Sequence, residues 1–282
     1  MDPTETPIHN ISDTARWVAV YRAWESARPD ALFRDPLAEK LAGERGRAIA
    51  ATAPRQARSG WPMVTRTKLF DDLIAASLAE GCDRVLNLAA GFDTRPYRLD
   101  LPAQLQWIEA DLPAMIEEKE RLLAGEKPRC RVSRERVDLS DAAAREAFLS
   151  KATAGATKAL VISEGLLAYF DDEQVRALGR HLARPPVRWW LLDVAAPAIL
   201  KMMVKGMGDR LRNAPMKFAP PDGVAFFEAL GWKVRDIRSI FRSAVQFRRV
   251  PALLRVFSLF PEPDPRKPGN ARWSAVVRLE RP

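Results

Sequence analysis

Between residues 64 and 194 short apolar runs alternate with helix-periodic segments, a pattern that confines the chain to a largely parallel sheet whose strands are joined by crossover helices. Strands are expected over 84–88, 106–110, 131–137, 159–163 and 189–194. Helices are expected over 113–124, with proline in the first turn, over 141–151, and over 171–182. The last opens with Asp171, Asp172 and Glu173, where the helix dipole favours negative charge. An amphipathic helix over about 64–79 precedes the first strand. No apolar run approaches the roughly 20 residues of a membrane-spanning helix, so no membrane span is expected.

After the fifth strand the pattern changes. Residues 195–223 are rich in Met, Lys and Pro and read as an insertion. Its Met202, Met203, Met207 and Met216 suit an adaptable apolar cover or the filling of packing gaps equally well. A helix over 224–230 ends at Gly231 as a C-terminal glycine cap would. Strands near 233–238 and 272–279 would close a seven-stranded sheet with an antiparallel pair, the Arg/Phe-rich stretch between them forming a helix and a surface loop. Residues 11–60 are helical and precede the sheet, so the expected division is a lid over 1–60 and a sheet domain over 61–282. A chain of 282 residues, 47% hydrophobic, can fill one such core and a cap.

Cys82 and Cys130 lie in no metal-ligand spacing, and the opening MDPTETPIHN has neither a basic nor an apolar leader region. A cytoplasmic location is expected on that basis. The formal net charge of +9 is uneven, since residues 233–282 hold twelve Lys and Arg against four Asp and Glu. Such a tail reads as a solvated surface or as a docking face for an acidic substrate, a membrane surface or RNA. It has no aromatic-interleaved basic motif, so no specific nucleic-acid partner is expected.

Open parallel sheets bind ligands beyond the carboxyl ends of their strands, where strand order reverses. The residues at those ends are acidic: Glu109 and Asp111 after the second strand, Asp138 with Leu139 after the third, Glu164 after the fourth. The first strand runs into Ala89, Ala90 and a single glycine, Gly91. A dinucleotide calls for several glycines and free N–H groups around its pyrophosphate. Nicotinamide chemistry would also leave Asp138 and Glu164 without a role. S-adenosylmethionine, with a sulfonium, an ammonium, a ribose diol and an adenine amine but no phosphate, suits the acidic pattern. Asp93 and Arg95 read as a local turn brace.

The segments TARWVAVYRAWES, FRDPLA, VTRTKLFDDLI, VLNLAAGFDTRPYRL, WIEADLPAMIEEKERLL, RVDL and LVISEGLLAYF, in this order over most of residues 12–184, resemble the leucine carboxyl methyltransferase family, in its bacterial branch of S-adenosylmethionine-dependent O-methyltransferases. The last hundred residues match loosely, mainly through ALGWKV and a closing strand. The resemblance implies a Rossmann-like class I methyltransferase fold, an α/β arrangement with a mostly parallel seven-stranded sheet and an N-terminal helical lid. It implies that Arg66 pairs with the methionine carboxylate of the cofactor and that Ala89 and Gly91 form the loop beside it. Asp111, with Glu109 beside it, takes the ribose; Asp138 and Leu139 flank the adenine; Glu164 is the acid after the fourth strand. Alanine in place of the usual glycine at 89 is expected to be tolerated with φ negative, while Gly91 takes a positive φ.

Methyl transfer is an in-line displacement, and a base is required only when the acceptor carries a proton. The chain has two histidines, His9 in the polar leader and His181 at a helix end, neither an obvious base. The acceptor is then an anion, or a carboxylate or tyrosine of the site deprotonates it. Arg22 and Tyr169 are the catalytic candidates, as a cation and a hydroxyl for the acceptor. Trp17, Tyr21 and Trp24 recur at helical spacing and read as a core-facing stripe or a substrate wall. The expected function is methyl transfer to a carboxylate or hydroxyl oxygen of a small molecule; the alternatives are an RNA- or protein-directed methyltransferase using the basic C-terminal region and, behind it, a nicotinamide-dependent oxidoreductase.

Overall fold

The computed structural model describes residues 11–53, 59–207 and 215–282. Seven strands form one sheet: β1 (Arg84–Leu88), β2 (Gln106–Asp111), β3 (Arg131–Arg136), β4 (Ala159–Ser163), β5 (Val187–Ala195), β6 (Lys233–Ser239) and β7 (Ser274–Glu280). Their order is β3-β2-β1-β4-β5-β7-β6. The first five run parallel, and β7 lies antiparallel between β5 and β6. The chain steps outward from β1 to β3 and then returns to set β4 on the other side of β1, so the order reverses between β1 and β4. That reversal opens a crevice at the carboxyl ends of both strands.

The strand residues divide between two cores by the period of two. Leu86, Leu88, Val161, Trp190 and Leu192 face one core; Val85, Trp107, Leu160, Ile162, Trp189 and Leu191 face the other. The consecutive tryptophans Trp189 and Trp190 thus anchor opposite faces. Both β1 and β4 are buried throughout, as expected for central strands covered on both sides, whereas the edge strand β3 alternates.

Ten α-helices are present among the described residues: α1 (Ile11–Ser26), α2 (Ala38–Ala51), α3 (Trp61–Ala79), α4 (Arg95–Arg98), α5 (Pro113–Leu122), α6 (Ala142–Thr153), α7 (Asp172–Leu182), α8 (Pro197–Met207), α9 (Ala225–Glu228) and α10 (Ile240–Gln246). Short 3-10 segments cover Leu167–Tyr169 and Ala252–Leu259. Asp141 caps α6 through the N–H groups of Ala143 and Ala144, and Asp171 with Gln174 forms a reciprocal box at the start of α7. None of the described helices is long and apolar enough to cross a membrane.

The elements differ from expectation mainly at their ends. α3 starts at Trp61 because Gly60 takes a left-handed conformation (φ 58°) and Pro62 follows in the first turn. β5 extends to Val187–Ala195, since β7 pairs along it from Trp189 to Ala195. The helix at the end of the insertion shrinks to α9, and the insertion itself contains α8. Helices α1 and α2 pack on each other and, through Ala19, Val20, Leu37 and Leu41, on Phe92 and Met115, which belong to segments leaving the carboxyl edge of the sheet. They form a cap on that edge.

Candidate active site

A cleft of about 420 Å³ lies at the carboxyl edge between β1 and β4, beneath α1. Its walls come from α1, the loop after β1, the ends of β2 and β3, and the segment after β4. The size is that of a small-molecule pocket, near the lower end of the range of about 300–1,000 Å³. Ala89, Gly91, Asp111, Asp138, Leu139, Glu164, Arg22 and Tyr169 all line it; Arg66 and Glu109 do not.

The loop after β1 is built around Asp111. One carboxylate oxygen accepts the Gly91 N–H at 2.7 Å and the other accepts the Leu112 N–H at 2.8 Å. Burial raises the Asp111 pKa, and those two N–H groups oppose the rise. The N-cap of α5 is Leu112, so Asp111 does not serve as that helix's cap. To bring the Gly91 N–H to Asp111 the chain turns sharply at Ala89, which takes φ 52°. The expectation of a negative φ at Ala89 is therefore wrong: the residue sits in the left-handed region, where a Cβ costs about 1–2 kcal/mol. Gly91 has φ 45°, as expected, and an added Cβ there would come within 3.2 Å of the Ala15 methyl of the cap.

Glu109, expected beside the ribose, is instead consumed inside the sheet. It lies two residues before the strand end, about 7 Å below the edge at strand rise, fully buried under α5 and paired with Lys119 at 2.8 Å and Arg134 at 2.9 Å. Asp138 keeps its side chain at the cleft. Ser140 donates to it through both N–H and hydroxyl, lowering its pKa, while Asp141 caps α6. Leu139 is buried beside it.

Behind Glu164 stands a buried network of ion pairs that the sequence did not disclose. Arg66 pairs with Glu164 at 3.0 Å and with Asp193 at 3.2 Å. The guanidinium expected to grip a cofactor carboxylate is thus held behind the cleft wall by two protein carboxylates, of which Glu164 lines the cleft and Asp193 does not. Arg95 pairs with Asp71, Asp93 and Glu164 at 2.7, 2.8 and 2.8 Å. Arg98 binds Asp71, and Arg22 binds Asp35 at 2.9 Å. Asp93 also accepts the Asn87 side-chain amide and the Arg95 N–H, and the flanking cations hold its carboxyl well below the usual range. Asp93 and Arg95, read as a turn brace, therefore form the hub of this network, and Arg95 reaches the wall where Arg66 does not.

Four guanidiniums (Arg22, Arg66, Arg95, Arg98) face five carboxylates (Asp35, Asp71, Asp93, Glu164, Asp193), leaving one negative charge in excess. The burial of Glu164 is explained by its two arginine partners.

Of the catalytic candidates, Arg22 lines the cleft and donates from Nε to Asp35 and from Nη2 to the Phe92 carbonyl at 2.6 Å, so it ties the cap to the loop after β1. Tyr169 faces the cleft with its pKa raised by burial, and its hydroxyl bonds with Thr14 of α1. Lys217, not foreseen, also lines the cleft; its backbone N–H donates to the Ala168 carbonyl at 2.6 Å, fixing it beside Tyr169. His181 lies 3.7 Å from Glu146, outside the cleft, and His9 falls outside the described residues. The rings of Trp17, Tyr21 and Trp24 contact one another and line no part of the cleft. Met202 is exposed and Met216 packs near Ile49; neither methionine covers the cleft, and the Met207 side chain falls outside the description.

The carboxylates at the cleft fit the cofactor inferred from the sequence. Each Asp111 oxygen, engaged by one N–H, retains lone pairs for the two hydroxyls of a ribose. The turn at Ala89 and Gly91 brings backbone to the wall of the cleft.

The leucine carboxyl methyltransferase family model matches residues 15–183. A protein of Mycolicibacterium smegmatis assigned as an S-adenosyl-L-methionine-dependent methyltransferase is 32% identical over 254 residues, covering 80% of this chain and 84% of that one. A Parafrankia protein with the same assignment is 30% identical over 276 residues, covering 89% and 86%. Among solved structures, a DUF574 family protein from Streptomyces avermitilis and a protein from Thermobifida fusca assigned as a methyltransferase each align with a TM-score of 0.59, over 95% and 98% of this chain and 97% and 96% of theirs. At 15% and 14% identity these two bear on the fold alone. By its motifs, its sheet and the extent of the match, the chain belongs to the leucine carboxyl methyltransferase family, whose members among its relatives are S-adenosyl-L-methionine-dependent methyltransferases.

Proposed function

We propose that this methyltransferase transfers its methyl group to an oxygen of a small molecule, most simply a carboxylate. The observation that carries the reading is the wall near Tyr169: a phenol whose pKa is raised by burial, a lysine fixed beside it, and no histidine among the described residues that line the cleft. A wall with no histidine among its described residues is suited to an acceptor that is already an anion. The family's name, with its carboxyl acceptor, agrees with that chemistry. The cleft volume of about 420 Å³ leaves space for a compact acceptor group beside the cofactor.

The bound cofactor supplies an electrophilic methyl on a sulfonium. Asp111 would hold the ribose diol, Asp138 and Leu139 the adenine side, and Glu164, braced by Arg66 and Arg95, the cationic amino-acid end. Tyr169 donates a hydrogen bond and Lys217 a positive charge to an acceptor carboxylate, orienting one lone pair and leaving proton transfer unnecessary. Arg22 keeps α1 clamped on the loop after β1, which excludes water.

Incubating the enzyme with trideuteromethyl-labelled cofactor and a panel of small carboxylic acids, phenols and amines tests the reading. The expected product is a labelled ester that mild alkali cleaves, with Lys217→Met raising KM for acids more than for phenols. Label found only on nitrogen or carbon would overturn it.

A further inference from the structure

Residues 251–260, Pro-Ala-Leu-Leu-Arg-Val-Phe-Ser-Leu-Phe, contain no buried residue, although six of them are large and apolar. Leu253 is 89% exposed, Leu259 82% and Phe260 62%, with Leu254, Val256 and Phe257 exposed beside them. A contiguous apolar surface of this kind on a folded chain marks an interaction site. It is held in place. Arg242 donates to the Phe260 carbonyl at 2.6 Å and to the Ser258 carbonyl, and the Ser239 hydroxyl bonds Glu262, so both ends of the excursion are pinned at the end of β6. Arg249 ties it to the cap, reaching Glu25 at 2.7 Å and Asp30 at 3.1 Å.

The position is specific. Ser239 ends β6 opposite Ala275, which pairs in turn with Val194 at the end of β5. The segment therefore leaves the same carboxyl edge that holds the cleft. The other exposed large apolar side chains among the described residues are Trp24, Leu112, Met202 and Val204. Each lies on the cap or on a segment that leaves that edge. The opposite edge of the sheet shows none among the described residues.

Charge selects the partner. Residues 240–260 include four arginines and no acid; Arg249 is paired with Glu25 and Asp30 and Arg242 with Glu262, so Arg248 and Arg255 supply the positive charge beside the apolar groups. An isologous contact between two copies would set this basic segment against itself, whereas apolar side chains flanked by arginine match the boundary of an anionic bilayer. We propose that residues 251–260 form an interfacial docking segment that seats the carboxyl edge of the protein, with the mouth of its cleft, on an anionic lipid surface.

Co-sedimentation of the full chain with vesicles of phosphatidylglycerol in phosphatidylcholine, against phosphatidylcholine alone, tests this. Binding to the anionic vesicles only is expected. Leu253→Asp with Phe257→Asp should abolish it while thermal midpoint and S-adenosylhomocysteine affinity stay unchanged. Arg255→Gln should weaken it about fivefold, the equivalent of about 1 kcal/mol per surface arginine. The proposal is overturned if the chain fails to bind anionic vesicles, if the doubly substituted chain binds as well as the unaltered one, or if the segment instead drives concentration-dependent dimerisation without vesicle binding. The binding assay reads no methyl transfer, so its failure is separate from that of the proposed activity.

Discussion

Ala89 carries a side chain in a conformation that favours glycine, because the loop must deliver the Gly91 N–H to Asp111. Replacing it with glycine removes about 1–2 kcal/mol of strain and adds about 0.4–1 kcal/mol of unfolded-chain entropy. Ala89→Gly is therefore expected to raise urea stability by about 0.5–1 kcal/mol with cofactor affinity within a few-fold of wild type. Lower stability would contradict the observed φ. Asp93 makes a second prediction. Its carboxyl is held below the value of the unfolded chain, so between the two pKa values the unfolded chain binds more protons and stability rises with pH. Its contribution is complete above about pH 4 and is lost as the pH falls further. Asp93→Asn should cost about 1.5–3 kcal/mol at neutral pH and flatten the acid limb of a urea-midpoint profile. An unchanged limb would show that Asp93 is not coupled to Arg95.

At the scale of elements, the join between cap and sheet domain depends on Gly60. It precedes α3 in a left-handed conformation, and an added Cβ would fall 2.3 Å from the Tyr21 ring of α1. Gly60→Ala combines left-handed strain of about 1–2 kcal/mol with overpacking of about 1–3 kcal/mol. The expected result is a loss of about 2–5 kcal/mol in chemical denaturation together with weaker cofactor binding, because α1 roofs the cleft. A loss of less than about 0.5 kcal/mol would mean that the cap does not pack there. The strands of the sheet were legible in the sequence because β1 and β4 are short apolar runs and remain buried throughout. That positions 111, 138, 139 and 164 would line a cleft at the carboxyl edge was legible for the same reason: they end or follow those strands or their neighbours. The partners of the charged residues were not. Arg66 meets Asp193 across 127 residues, Arg95 meets Asp71 across 24, and nothing local marks either pairing. Glu109 was misread because a strand's end and a position two residues inside it carry the same kind of residue, and only the placement of α5 separates them.

For the whole molecule, the uneven charge and the uneven apolar exposure coincide. Arg242, Arg248, Arg249 and Arg255 lie in or beside a segment with its large apolar groups in solvent, and the cleft with Asp111, Asp138 and Glu164 on its wall opens at the same edge. One edge of the sheet thus holds both the surface that would approach an anionic interface and the site that would hold a cationic cofactor. Asp111 and the loop it organises are expected to bind the cofactor, a role that isothermal calorimetry with S-adenosylhomocysteine tests. Wild type is expected to bind S-adenosylhomocysteine and not NAD, and Asp111→Ala to lose about 1.5–3 kcal/mol, roughly tenfold to 150-fold in Kd. Undiminished affinity in Asp111→Ala, with only its thermal stability reduced, would contradict the account and reduce Asp111 to a brace for the Gly91 turn.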